Sequence, residues 1–450
     1  MYPLTGGLKS TLPHLRYSKV MDNIATTFNG VNAPTHFPTA SPATGAFDPS
    51  WFNAEAFHVI LQQMLGVDPK ISDLIFSPGR PPQVELNSDL QGVTSTGIEK
   101  LTPDLIRAIA DLMLRGNKTG PESLERSGSA DISYSAPGLG RFRVNIFRQR
   151  GTYAIVMRVI PSRVPNWQEL DLPVAVRNVS ELKNGLVLVT GPTGSGKSTT
   201  LAAVIDLINS TRKYHIVTIE DPIEFLHEHK LSTIHQRELH SDTPNFALAL
   251  RAALRQAPKV ILVGEMRDRE TIEVAMEAAE TGHLVLSTLH TIDAAKTIDR
   301  IIGVFPKNEE PVIRTRLAQS FRRIISQRLV PKIGGGRVAA IEILVANSRT
   351  REYIEKGERE GRSMYDAMKD GALDGMQTFD IELEKLIRNR VITRENGLLY
   401  ASNANNLALS ISDMDGAPPA QQQDVILNAD PPPAAAVGSP GPDAIEGFER

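Results

Sequence analysis

Residues 185–200 read GLVLVTGPTGSGKSTT: an apolar strand-like run, a glycine-rich turn, and the opening of the helical segment TTLAAVIDLIN. Gly191, Gly196, Lys197 and Ser198 fit the spacing G-x-x-x-x-G-K-[ST], and the phosphate-binding run is Gly191, Pro192, Thr193, Gly194, Ser195, Gly196, Lys197, Ser198 and Thr199. The order strand, turn, helix matters because backbone N–H groups and a helix N-terminus must converge on one anion. Gly194 and Gly196 let the backbone close around it with no side chain in the way. Lys197 is expected to reach the β- and γ-phosphates and Ser198 to ligate Mg²⁺, so ATP and Mg²⁺ are the expected ligands.

Three further segments have the same apolar character: HIVTIE (215–220), KVILVG (259–264) and HLVLSTL (283–289), each separated from the next by a helix-length stretch. Strands buried on both faces read this way, which predicts an α/β core with a largely parallel, helix-covered sheet. Ligands of such sheets bind beyond the strand C-termini. Acids at those tips therefore matter: Glu265 is the expected water-activating and Mg²⁺-shell carboxylate, and Glu220, Asp221 and Glu224 follow a second strand. Thr288 and His290 end a third, where they can sense a γ-phosphate. Arg251 and Arg255 lie four apart on one helical face and Arg267 two residues after Glu265; each is a candidate to neutralise phosphoryl charge.

Toward the N-terminus the pattern changes. Residues 53–65 have helical periodicity, 72–86 read as short strands broken by Pro-Gly, and 102–116 form a helix capped by Thr102 with Pro103 in its first turn. Two strands follow, GRFRVNIFRQRG and TYAIVMRVIP, which predicts a small α+β domain over 51–160. Arg141, Arg143 and Asn145 alternate with Phe142, Val144 and Ile146, so the basic side points away from the core. Pro161, Pro165 and Pro173 mark a linker over 161–175, and 176–402 is the expected ATPase domain. Its part beyond about 300 is expected to be mostly helical, with one strand, VAAIEILV.

Proline also marks the ends. Residues 1–50 hold six prolines and 411–450 seven of the chain's 30. With no sustained periodicity, 1–50 and 403–450 are expected to be disordered tails. Residues 411–450 carry seven acids against Arg450, a net of -6, which leaves +3 for residues 1–410 out of a total of -3. That balance gives no electrostatic reason to expect a nucleic-acid partner. No apolar run reaches the ~18 residues of a membrane span, and no export signal is visible, so a cytoplasmic location is expected. The 450 residues contain no cysteine, which removes disulfides, thiol catalysis and cysteine-ligated zinc.

Together these motifs carry a resemblance. GPTGSGKSTT (191–200), TIEDPIEF (218–225), LRAALRQAPKVILVGEMRD (250–268) and AAETGHLVLSTLHT (278–291) resemble the Walker A, aspartate, Walker B and histidine boxes of the type II/type IV pilus superfamily of secretion ATPases. ISQRLVPKIGGGRVAAIEIL (325–344) and GMQTFD (375–380) are similar to its twitching-motility, pilus-retraction (PilT-type) branch.

The resemblance implies a homohexamer of subunits with an N-terminal PAS-like domain and a RecA-like P-loop core, with ATP between the two domains. It implies Glu265 as catalytic, Glu220 and His290 as active-site residues, and Arg143, Arg148, Arg150, Arg251, Arg255 and Arg267 as phosphate or inter-subunit contacts. It further implies a motor peripheral to the inner face of the cytoplasmic membrane that moves a pilus platform protein, with a paralogous retraction ATPase as a possible partner. Assembly, type II secretion and conjugation-type transfer ATPases share the core motifs, although the zinc-binding CxxC pairs of many assembly ATPases cannot exist here. A nucleotide-dependent adaptor without turnover is the reading from outside the enzyme class.

Overall fold

The computed structural model describes residues 52–416 apart from 87, 88, 118, 162 and 360. The expected tail 1–50 and the greater part of 403–450 lie outside the described residues.

The N-terminal sheet has six strands: β1 (Asp73–Phe76), β2 (Gln83–Leu86), β3 (Asp89–Gly92), β4 (Ser129–Ala136), β5 (Gly140–Gln149) and β6 (Thr152–Ile160). Their order is β3-β2-β1-β6-β5-β4, every pair antiparallel. The expected alternation on β5 is present: Phe142, Val144 and Ile146 are fully buried. They pack with Phe57, Ile60 and Leu61 of the helix Ala54–Leu65 and with Ile106 and Ile109 of the helix Pro103–Leu114. The second helix starts where predicted, Thr102 Oγ1 accepting from Leu105 N at 3.2 Å. β4 escaped the sequence reading because SADISYSA buries mainly small residues, Ala130 and Ala136 beside Ile132, and shows no apolar run.

The second sheet has seven strands: β7 (Gly185–Thr190), β8 (His215–Glu220), β9 (Thr233–Glu238), β10 (Val260–Val263), β11 (Leu284–Leu289), β12 (Phe321–Pro331) and β13 (Arg337–Val345). The order is β13-β12-β7-β11-β10-β8-β9. All neighbours are parallel except β12 and β13, as expected of strands that bury both faces. Leu186–Val189 and Val260–Val263 are almost wholly buried.

Beyond about 300 helices do predominate, but the expectation of a single strand there needs correction. β12, FRRIISQRLVP, is an eleven-residue strand beside β7, and VAAIEILV is its hairpin partner rather than an isolated strand. Its arginines disguised it. Arg322 NH1 and NH2 donate to Ser320 O at 3.2 Å and Asn184 Oδ1 at 3.0 Å. Arg323 donates to Ala175 O. Arg328 lies 3.8 Å from the centre of the Phe379 ring and donates to Tyr400 O. The long basic side chains here end on acceptors, so they interrupt the hydropathy without interrupting the strand.

The C-terminal boundary also moves. The helix Ala404–Ser410 lies beyond the expected limit at 402, with Leu407 and Ile411 buried against Phe379, Leu383 and Val330. Arg388 holds the end through Asp413 at 2.9 Å. In the 161–175 segment, Leu172 is buried and Trp167 and Leu170 pack on the core beneath β7. Among the described residues no helix is long and apolar enough to cross a membrane.

Candidate functional site

β7 delivers the glycine turn to the tip of the sheet. Gly191 has φ 146°, and a Cβ there would stand 2.4 Å from the Gln327 carbonyl oxygen. Gly196 has φ 89°, and a Cβ there would stand 2.8 Å from Gln327 Nε2. Glycine is therefore required at Gly191 by conformation and by backbone crowding, and at Gly196 by its left-handed φ, since the atom an added Cβ would meet there is the end of a side chain. The helix Lys197–Thr211 starts at once, so its unpaired N–H groups face the turn. Lys197 Nζ is held by Gly191 O at 2.9 Å and Pro192 O at 3.0 Å. Burial lowers its pKa, opposed by the nearby charges of Glu265 and Glu224. A phosphate oxygen is a stronger acceptor than these carbonyls, so the ammonium is poised to exchange them for one.

A cavity of about 480 Å³ opens over this turn, and Lys197, Ser198, Glu220, Glu265, Arg267 and His290 all line it. Glu265 Oε2 accepts from Arg267 NH2 at 2.7 Å and lies 3.5 Å from His290 Nε2. Thr193 Oγ1 in the turn stands 3.5 Å from His290 Nδ1. The glycine turn, the imidazole and the carboxylate thus form one connected edge of the cavity. Gly264 lets the β8 and β10 tips approach: its N–H donates to Ile219 O at 2.7 Å, and a Cβ there would lie 3.3 Å from Glu220 Cα. Thr288 Oγ1 clamps the same residue through Gly264 O at 2.6 Å.

Glu220 is in a different environment. It accepts from Thr218 Oγ1 at 2.6 Å and Gln236 Nε2 at 3.1 Å, and burial raises its pKa. One carboxyl faces a cationic partner at the mouth while the other is desolvated, a division of environments suited to two chemical roles.

The other arginines are placed elsewhere in this chain. Arg251 pairs with Glu270 on the surface, and Arg255, Arg148 and Arg150 are exposed outside the cavity. Arg143 borders a smaller hollow with Asp221 and Pro222.

Other functional candidates were missed in the sequence. Gln327 of β12 donates to Ser195 O at 2.7 Å and accepts from Thr200 Oγ1 at 2.8 Å, bracing the turn from both sides. It stands 132 residues from Ser195 on an unread strand, so no local signal marked it. Arg337 at the start of β13 also lines the cavity, as does His227, whose pKa burial lowers to about 4.

Over residues 139–380 the sequence matches the family described as Type II/IV secretion system protein. The chain belongs to that family. "Type IV pilus retractation ATPase PilT" of Pseudomonas aeruginosa is 48% identical to this chain over 325 residues, 72% of this chain and 92% of that one. "Type IV pilus ATPase PilU" of the same organism is 40% identical over 76% of this chain and 87% of its own length. The crystal structure of the pilus retraction motor PilT with bound ADP superposes with a TM-score of 0.69 at 42% identity, covering 78% of this chain and 98% of that one. The Legionella pneumophila ATPase DotB gives 0.68 at 29% identity, covering 79% and 97%.

The residues present fit a nucleotide with a magnesium ion. Thr193, Gly194, Gly196, Lys197, Ser198 and Thr199 line the cavity together, so the turn and the helix start border the space a phosphate would take. Half-buried Ser198 and Glu265 offer a hydroxyl and a carboxylate, the small oxygen donor set that Mg²⁺ takes when phosphates supply further ligands.

Proposed function

We propose that this secretion-family protein is a PilT-type motor that hydrolyses ATP to drive type IV pilus retraction and twitching motility. The observation that carries the reading is the convergence of Lys197, Glu265 and His290 on one cavity at the tip of a parallel sheet. The likeness to PilT over most of both chains supports the direction of movement. In this reading the seven-stranded sheet is a RecA-like core over 176–402 and its extension, the six-stranded sheet a PAS-like domain over 51–160, and 161–175 the connection.

The glycine turn and Lys197 bind the phosphates. Ser198 and Glu265 would hold Mg²⁺, which neutralises charge on the phosphate oxygens. Glu265 accepts the proton of the attacking water, and its hydrogen bond from Arg267 fixes the direction of the accepting oxygen. His290, joined to Thr193, responds to the γ-phosphate. Glu220, held by Thr218 and Gln236, positions the opposite wall.

Arg143, Arg148, Arg150, Arg251 and Arg255 lie away from their own cavity and are assigned to neighbouring subunits in a homohexamer. The platform protein at the inner face of the cytoplasmic membrane and a paralogous retraction ATPase are the assigned partners. Imaging of surface fibres in a deletion strain tests the direction: surplus pili support retraction, and absent pili refute it in favour of assembly. Sedimentation with ATP tests the ring, which a persistent monomer would refute.

A further inference from the structure

Glu238, at the end of β9, is 4% exposed yet meets both sheets. Its carboxylate accepts from Arg141 NH2 of β5 at 3.0 Å and from Ser133 Oγ of β4, both in the N-terminal sheet. On the core side, Oε2 accepts from Ile223 N at 3.1 Å. Its own N–H donates to Asp242 Oδ2 at 2.8 Å, which fixes the strand end.

Ile223 belongs to the segment that leaves the Glu220 tip. Two residues before Glu238 on the same strand, and therefore on the same face, Gln236 Nε2 donates to Glu220 Oε1 at 3.1 Å and to Phe225 O at 2.9 Å. Leu239 N donates to Glu220 O at 2.9 Å. The 220–225 wall of the nucleotide cavity and the N-terminal sheet are thus fastened to consecutive same-face positions of one edge strand.

The surroundings of this contact are not densely packed. A hollow of about 70 Å³ lies beside it, bordered by Asn117 and Arg143 on one side and Asp221 and Pro222 on the other. Arg141 Nε is buried without a hydrogen-bond partner. A buried ion pair with one donor unsatisfied is a poor source of stability, because desolvation offsets most of the attraction; its better-attested use is to fix a register between parts. We infer that Glu238 is a positioning residue that latches the N-terminal sheet to the 220–225 wall, so that a change at that wall on nucleotide turnover reorients the N-terminal sheet. The inference rests on the ATPase reading for its second half.

The absence of cysteine makes the test clean. Exposed Glu125 in the N-terminal domain and Lys213 in the core are replaced by cysteine, spin-labelled, and the labelled full-length chain is diluted into unlabelled chain. Distances are measured with ADP and with ATP in the parent, Glu238→Gln, Arg141→Met and Arg141→Lys backgrounds, alongside ATP turnover. The parent is expected to give two narrow distributions that differ between nucleotides. Glu238→Gln and Arg141→Met are expected to merge and broaden them and to lower kcat roughly tenfold with the ATP KM within about threefold. Arg141→Lys, which keeps the charge, is expected to recover part of both.

Unchanged distributions in Glu238→Gln and Arg141→Met overturn the latch, as does a fall in kcat with no change in distance. If Glu238→Gln does not fold, Arg141→Met decides alone. A parent that turns over no ATP refutes the motor reading, and the latch is then decided by the distances: broadening supports it and a preserved narrow distribution overturns it.

Discussion

Gln327 Nε2 donates to the Ser195 carbonyl at 2.7 Å, tying the phosphate turn to the strand alongside β7. The side-chain oxygen of the same amide accepts from Thr200 Oγ1 at 2.8 Å, so both ends of the turn share one brace. Gln327→Leu leaves the Thr200 hydroxyl and the Ser195 carbonyl without this partner inside a buried site. A loss of about 1–3 kcal/mol in unfolding free energy follows, with nucleotide affinity weaker by roughly tenfold. Denaturant unfolding and titration with a fluorescent nucleotide measure the two effects. Parental values for both would show that the brace is inert.

The glycines of the turn are unequal. At Gly191 an added Cβ meets the Gln327 carbonyl at 2.4 Å, whereas at Gly194 it meets nothing within 4 Å, although φ there is 76°. Gly191→Ala is expected to abolish nucleotide binding and to cost more than about 3 kcal/mol, since backbone and not a mobile side chain must yield. Gly194→Ala is expected to cost about 1 kcal/mol and to retain binding. Equal effects in thermal unfolding and nucleotide titration would contradict the geometry.

Glu342 on β13 supplies a pH dependence. It is 3% exposed, accepts from Ala294 N at 2.9 Å, and burial, reinforced by Asp293 and opposed by Arg328, raises its pKa from 4.5 to about 7. The folded state therefore favours the protonated acid. Its contribution is fully present below pH 4.5 and is lost as pH rises through about 7, an amount on the order of 3 kcal/mol. Glu342→Gln keeps an oxygen for Ala294 N and removes the titration. The variant is expected to gain on the parent in Tm across pH 4.5 to 7 and to stay above it at higher pH. A constant difference over that window would show that Glu342 does not titrate there.

Much of this architecture is legible in the sequence, and the failures share a cause. GLVLVT, HIVTIE, KVILVG and HLVLSTL are buried on both faces, so their composition alone marks them, and the catalytic candidates at their tips follow directly. β9 and β12 are the opposite case. β9 reads TIHQRE because it is an edge strand, and β12 carries arginines whose charges end on carbonyls of distant segments, Ala175 and Tyr400. The residues that brace the site from those strands, Gln327 and Glu238, were hidden with them. The helix Ala404–Ser410 was obscured by its neighbourhood, a proline-rich tail, even though Leu407 and Ile411 are buried. Arginine placement was the least legible, because a basic residue near a motif reads alike whether it lines the cavity, as Arg267 does, or pairs on the surface, as Arg251 does with Glu270.

The most direct test of the central claim concerns Glu265, whose Oε2 accepts from Arg267 at 2.7 Å beside His290. Glu265→Gln preserves shape and removes the carboxylate proposed as base, so ATP turnover and ATP affinity measured on one preparation separate catalysis from binding. The account predicts turnover lower by at least about 100-fold with Kd for ATP within about threefold of the parent. Turnover equal to the parent's would contradict it.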